Sequence, residues 1–75
     1  MTTLKDNEET EIRNGRYAFK TTGALDLQWS INNEPFSTVT DGSFSSASDG
    51  VIDLPWCMVK AVNATTETIT LKPVT

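Results

Sequence analysis

Apolar and polar residues alternate without a break along residues 25–31. Leu25, Leu27, Trp29 and Ile31 fall on one side, and Asp26, Gln28 and Ser30 on the other. That period of two is a β-strand with one face buried; a helix would need apolar residues three and four apart. Asn32, Asn33, Glu34 and Pro35 then reverse the chain, and residues 35–40 return beside the strand as a hairpin. Upstream, residues 16–20 place Tyr17 and Phe19 on one face, before a turn at Thr21, Thr22 and Gly23. Downstream, Asp41 and Gly42 open a turn, a short strand surrounds Phe44, and residues 45–50 form a loop closing on Asp49 and Gly50. Residues 51–62 hold two patterns of opposite parity: Ile52 and Leu54 face inward, then Cys57, Val59 and Ala61 do. Proline cannot donate to a β-ladder, so the slip predicts a strand break or bulge at Pro55 and Trp56. Residues 63–67 turn, and the last strand points Ile69 and Leu71 inward.

About seven short strands, turn residues every eight to twelve positions and no helical period predict an all-β fold. The expected architecture is a small antiparallel β-sandwich or barrel with an extended N-terminal arm. The arm is residues 1–13, where Met1, Leu4 and Ile12 are the only large apolar side chains and Asp6, Glu8, Glu9 and Glu11 crowd together. It reads either as a solvated terminus or as an acidic arm that orders against a basic patch on a partner. Asn14 and Gly15 suit a two-residue turn, but a hairpin there would set Arg13 opposite Arg16. They are therefore read as the entrance to a single β domain covering residues 14–75.

The chain has 75 residues, 37% of them hydrophobic, and a single cysteine, Cys57. A core of this size supplies roughly 3–5 kcal/mol of net stability unless something else holds the fold together. One cysteine leaves no disulfide within the chain, and the absence of histidine removes the usual zinc and haem ligands. No cofactor is expected. Self-association or docking on a larger partner is the remaining support. The net charge of −4 argues against nucleic acid and anionic membranes as partners. The first residues lack the basic and then apolar layout of a secretory signal, which points to a bacterial or viral cytoplasmic setting.

Candidate chemistry is sparse. A serine nucleophile has no histidine base, and Cys57 lies on an inward-facing apolar stretch. Asp41–Gly42 and Asp49–Gly50 have neither the alternating oxygen ligands nor the distal glutamate of a calcium loop. Four aromatics, Tyr17, Trp29, Phe36 and Trp56, are candidates for a stacking platform. Trp29 shares a face with Leu25 and Leu27 and reads as core, whereas Trp56 falls at the parity slip and is the one expected to be exposed. An exposed aromatic of this kind anchors interfaces. The candidate interface residues are Asp6, Glu8, Glu9, Glu11 and Trp56, with no catalytic or metal site.

Residues 14–74 carry a layout that resembles the small all-β virion proteins of tailed bacteriophages, above all capsid decoration (cement) proteins. The resemblance rests on a Gly-aromatic strand (Gly15 to Phe19) and a Gly-led strand ending in Leu-Gln (Gly23 to Gln28). A polar turn, an aromatic-containing strand (Pro35 to Thr40), a Val-x-Leu-Pro segment (Val51 to Pro55), a Cys-x-Val-Lys-Ala-Val strand (Cys57 to Val62) and a Thr-rich strand (Thr66 to Leu71) follow. The turn after Trp29 lacks the glycine common in such chains. The resemblance implies a non-enzymatic structural subunit, a homotrimer bound many times to the major capsid protein on the virion surface and made in the host cytoplasm. A neck or tail structural protein is the alternative within the virion, and a small carbohydrate-binding β module is the alternative outside it. Glycan binding is not expected of a decoration protein. On this reading, deleting residues 1–12 leaves the fold intact and weakens attachment.

Overall fold

The computed structural model describes residues 1–74, and these form eight strands and no helix. They are β1 (Thr2–Leu4), β2 (Glu9–Ile12), β3 (Gly15–Thr21), β4 (Leu25–Ser30), β5 (Ser37–Phe44), β6 (Ser48–Leu54), β7 (Cys57–Val62) and β8 (Ile69–Pro73). Two four-stranded antiparallel sheets result, ordered β1-β8-β3-β6 and β2-β7-β4-β5. The order has a simple origin. The chain is one long antiparallel ribbon folded at the β4–β5 hairpin, so that β3 pairs β6, β2 pairs β7 and β1 pairs β8. Successive rungs alternate between the sheets, and the β3·β8 and β4·β7 pairings close each sheet. This wrapped order is that of a jelly roll, so the sandwich expectation takes a definite topology.

The core lies between the sheets and is assembled from the inward parity of each strand. Leu25 and Leu27 of β4, Cys57, Val59 and Ala61 of β7, Leu54 of β6, and Ile69 and Leu71 of β8 are buried. Tyr17 and Thr21 of β3 join them, while Phe19 packs on the half-buried ring of Phe44 with centroids 5.1 Å apart. The parity change at Pro55 and Trp56 is where the chain crosses between sheets: β6 ends at Leu54, β7 begins at Cys57, and both strands turn their apolar sets inward.

Three expectations are corrected. Residues 1–13 are not an extended arm. β1 pairs with β8 and β2 with β7, and Leu4 and Ile12 are 3% and 5% exposed within the core. Each of these strands is so short that one inward apolar residue suffices, which is why no periodicity announces them. Asp41 and Gly42 do not end a strand but sit in a bulge of β5. Gln28 pairs with Thr38 and Asp26 with Ser43, leaving Leu27 alone opposite residues 39–42. Asp41 takes a positive φ of 61° there, and the excursion folds Val39 into the core. The strand count therefore becomes eight, because 35–40 and 43–45 merge while β1 and β2 are added. Finally, residues 48–50 belong to β6, and the loop before it is confined to residues 45–47.

The connections at one end of the sandwich are tied to each other. Thr22 Oγ1 donates to Glu67 Oε2 at 2.6 Å and accepts from Thr68 N, and Ala64 N donates to Asp6 Oδ1 at 3.0 Å. On β4, the Asp26 carboxylate accepts from Ser43 Oγ at 2.6 Å and Asn63 Nδ2 at 2.8 Å, joining β5 and the β7–β8 connection. The Ser43 bond and then the Asn63 bond lower the Asp26 pKa from its ordinary value. A group depressed on folding adds stability above its unfolded pKa, and that stability is lost as pH falls through the folded value. Urea midpoints measured downward from pH 6 are expected to fall more for the wild type than for Asp26→Asn. The difference stays under about 1 kcal/mol, because solvent screens the carboxylate and both of its hydrogen bonds.

Candidate functional site

The other end is open. Three connections meet there: residues 13–14 between β2 and β3, the hairpin tip at 31–36, and Pro55 with Trp56 between β6 and β7. Register brings them together, since Ile12 pairs with Cys57, Gly15 with Leu54 and Ser30 with Met58. Asn32 and Asn33 have φ of 54° and 63°, the left-handed pair a type I′ turn requires, and Glu34 N donates to the Ile31 carbonyl at 3.1 Å. Asparagine supplies these angles in place of glycine. Asn14 and Gly15 take no positive φ, so the chain passes between sheets there rather than making a hairpin. The Tyr17 hydroxyl, reaching out of the core, donates to the Arg13 carbonyl at 2.7 Å and fixes that passage.

Trp56 stands among these connections, 69% exposed. Its indole N–H donates to Glu11 Oε2 at 2.8 Å, so the ring is held at its polar edge with its apolar faces open. Trp56 lines a cleft of about 430 Å³ with Glu11, Arg13 and Asn14. It also lines one of about 280 Å³ with Glu11, Ser30, Asn32, Asn33, Cys57 and Met58. Both clefts are shallow, and Glu11 and Trp56 are common to them. The arrangement offers a fixed aromatic platform surrounded by hydrogen-bonding amides, one carboxylate and one guanidinium.

The candidate interface residues divide between the two ends. Glu11 and Trp56 are in contact, and Glu9 lies two residues before Glu11 on the same outward face of β2, opposite Lys60 in the ladder. Asp6 and Glu8 lie at the opposite end and are engaged by the chain itself. Glu8 Oε1 accepts from Lys5 N at 2.8 Å, closing the turn in which Asn7 has φ 64°, and Asp6 accepts from Ala64 N. Of the aromatic candidates, Tyr17 is buried, Trp29 packs on the core, and Phe36 lies under Lys60 Nζ, 5.0 Å from the ring centroid. Cys57 is buried, and burial pushes its thiol pKa up, away from the nucleophilic thiolate. Among the described residues no group of three or more His, Cys, Asp or Glu converges on a metal position. The sequence marks Asn14, Asn32 and Asn33 as turn residues and Arg13 as a flanking charge, not as site residues; they join the site because the ribbon wraps. No family model, no curated protein and no solved structure matches the chain.

Proposed function

We propose that this chain is a non-enzymatic structural protein of a tailed-bacteriophage virion, most specifically a capsid decoration protein that binds and stabilises the head shell. It docks on the major capsid protein through the open end of the jelly roll, with Trp56 as anchor. The observation carrying this reading is a tryptophan left 69% exposed with its indole N–H oriented by a hydrogen bond to Glu11. A fixed aromatic loses little conformational entropy on docking, and tryptophans in such positions dominate interface energetics. The resemblance of residues 14–74 to decoration proteins supplies the partner class. A neck or tail position uses the same surface. Trp56→Ala is expected to weaken co-sedimentation with empty shells of the cognate major capsid protein by about thirtyfold, the equivalent of about 2 kcal/mol. Wild-type binding by Trp56→Ala would remove Trp56 from the interface.

One observation favours a second reading, a carbohydrate-binding module: the open indole is flanked by the amides of Asn14, Asn32 and Asn33. Sugars present an apolar C–H face for stacking and hydroxyls for such amides. Quenching or shift of Trp56 fluorescence by neutral oligosaccharides, with no shell binding, would select it.

A further inference from the structure

On the outer face of the β1-β8-β3-β6 sheet, the sheet opposite the one that carries Glu11, the charges form columns. On β3 the outward residues are Arg16, Ala18 and Lys20; on β6 they are Asp53, Val51 and Asp49. The register aligns them level by level: Arg16 with Asp53, Ala18 with Val51, Lys20 with Asp49. Arg16 Nε is 2.8 Å from Asp53 Oδ1 within the chain. The apolar middle level is open, with Val51 59% exposed.

A cationic column beside an anionic one, matched in height, is complementary to itself. A two-fold axis parallel to the strands, above the seam between β3 and β6, lays β3 of each copy over β6 of the other without changing the level. Each Arg16 then faces an Asp53 of the second copy, each Lys20 an Asp49, and each Ala18 a Val51. We infer that this face is an isologous contact between two copies of the chain. The charges also disfavour edge-to-edge pairing through β6. β6 is a free edge of its sheet, and antiparallel β6-to-β6 pairing centred on Val51 would set Asp49 against Asp53 twice. Face-to-face stacking turns those same aspartates toward cations. The contact is small and rests on exposed ion pairs, so the dimer is weak, concentration-dependent and loosened by salt. It gives two-fold association in place of the trimer that the family resemblance implies, and it does not depend on what Trp56 binds.

The test is the solution mass of the full chain by light scattering over a dilution series at low and high salt. The expected result is a monomer–dimer equilibrium that moves toward monomer as salt rises. Asp53→Arg is expected to weaken the dimer about tenfold, since symmetry counts each reversed charge twice, with only a small drop in thermal midpoint from setting two exposed arginines opposite each other in the ladder. Val51→Lys, placing a charge in the apolar level, has the same direction. The swapped pair Arg16→Asp with Asp53→Arg again sets opposite charges against each other at that level, within the chain and across the two-fold axis, and is expected to restore the dimer. A wild type that stays monomeric, a trimer, or a swap that fails to recover association would overturn the inference. Shell binding lost in Trp56→Ala with the dimer intact separates this contact from the docking end.

Discussion

A chain lacking residues 1–12 is expected not to fold. The deletion removes β1 and β2, and with them Leu4 and Ile12 from the core. Ile69 and Leu71 of β8, and Cys57 and Val59 of β7, would lose the strands that cover them. β8 and β7 would become sheet edges with unpaired backbone groups. Truncating one buried leucine costs about 2–5 kcal/mol, which is comparable to the roughly 3–5 kcal/mol a domain of this size has. Loss of both strands therefore exceeds what the rest of the molecule supplies. Far-UV circular dichroism and proton–nitrogen NMR dispersion of the shortened chain read the outcome. Leu4→Ala, which keeps the chain length, is expected to lower the urea midpoint strongly, while Glu9→Gln on the outer face leaves it nearly unchanged. A well-dispersed spectrum from the shortened chain would show that the two strands are dispensable and restore the reading of an appended arm.

Gly42→Ala is expected to destabilise the fold strongly for a change of one methyl group. A Cβ at this buried position would lie 2.9 Å from Val39 Cβ, 2.9 Å from the Val39 carbonyl oxygen and 3.0 Å from the Leu27 carbonyl oxygen. Two of these neighbours are backbone atoms held by the β4–β5 ladder and by the bulge itself, so they cannot swing aside. Overpacking of this kind costs about 1–3 kcal/mol, and the rigidity of the site places the change toward the upper end. The control is Gly15→Ala, where the nearest atom is Tyr17 Cε2 at 3.8 Å, an ordinary contact. Urea unfolding of the two variants is expected to separate them clearly. Equal midpoints would mean that residues 39–42 rearrange freely and that the bulge is not a fixed part of the fold.

What was legible in the sequence follows from how each feature is encoded. The strict alternation from residue 25 specifies a strand because no other element has that period, but Ile31, which the same alternation assigns to the inward face, lies past the end of β4 at the hairpin tip and is exposed. The clash of parity across Pro55 marks the crossing between sheets because a proline can neither continue a ladder nor hide there. Trp56 stands out for the same reason, lying on neither inward set. β1 and β2 were illegible because three or four residues with one apolar side chain each contain no period. Their burial comes from long-range pairing with β8 and β7. The bulge was read as a turn because Asp41 and Gly42 serve either purpose, and only the register against Leu27 distinguishes them. The strand partners were hidden for a related reason: alternation says which face a residue occupies, not which strand lies beside it. The open end therefore had one visible member, Trp56, with Glu11 marked only as part of an acidic cluster. Arg13, Asn14, Asn32 and Asn33 reach it through the wrapping of the ribbon.

The proposed role makes this chain a virion component attached through the open end of its jelly roll. Quantitative mass spectrometry of particles purified from cells in which the chain is made alongside its cognate phage tests it most directly. The protein is expected in intact particles, in many copies per shell, with Trp56→Ala strongly depleted from particles although folded in the lysate. Particles free of the wild-type protein, while it accumulates in folded form in the same lysate, would contradict it.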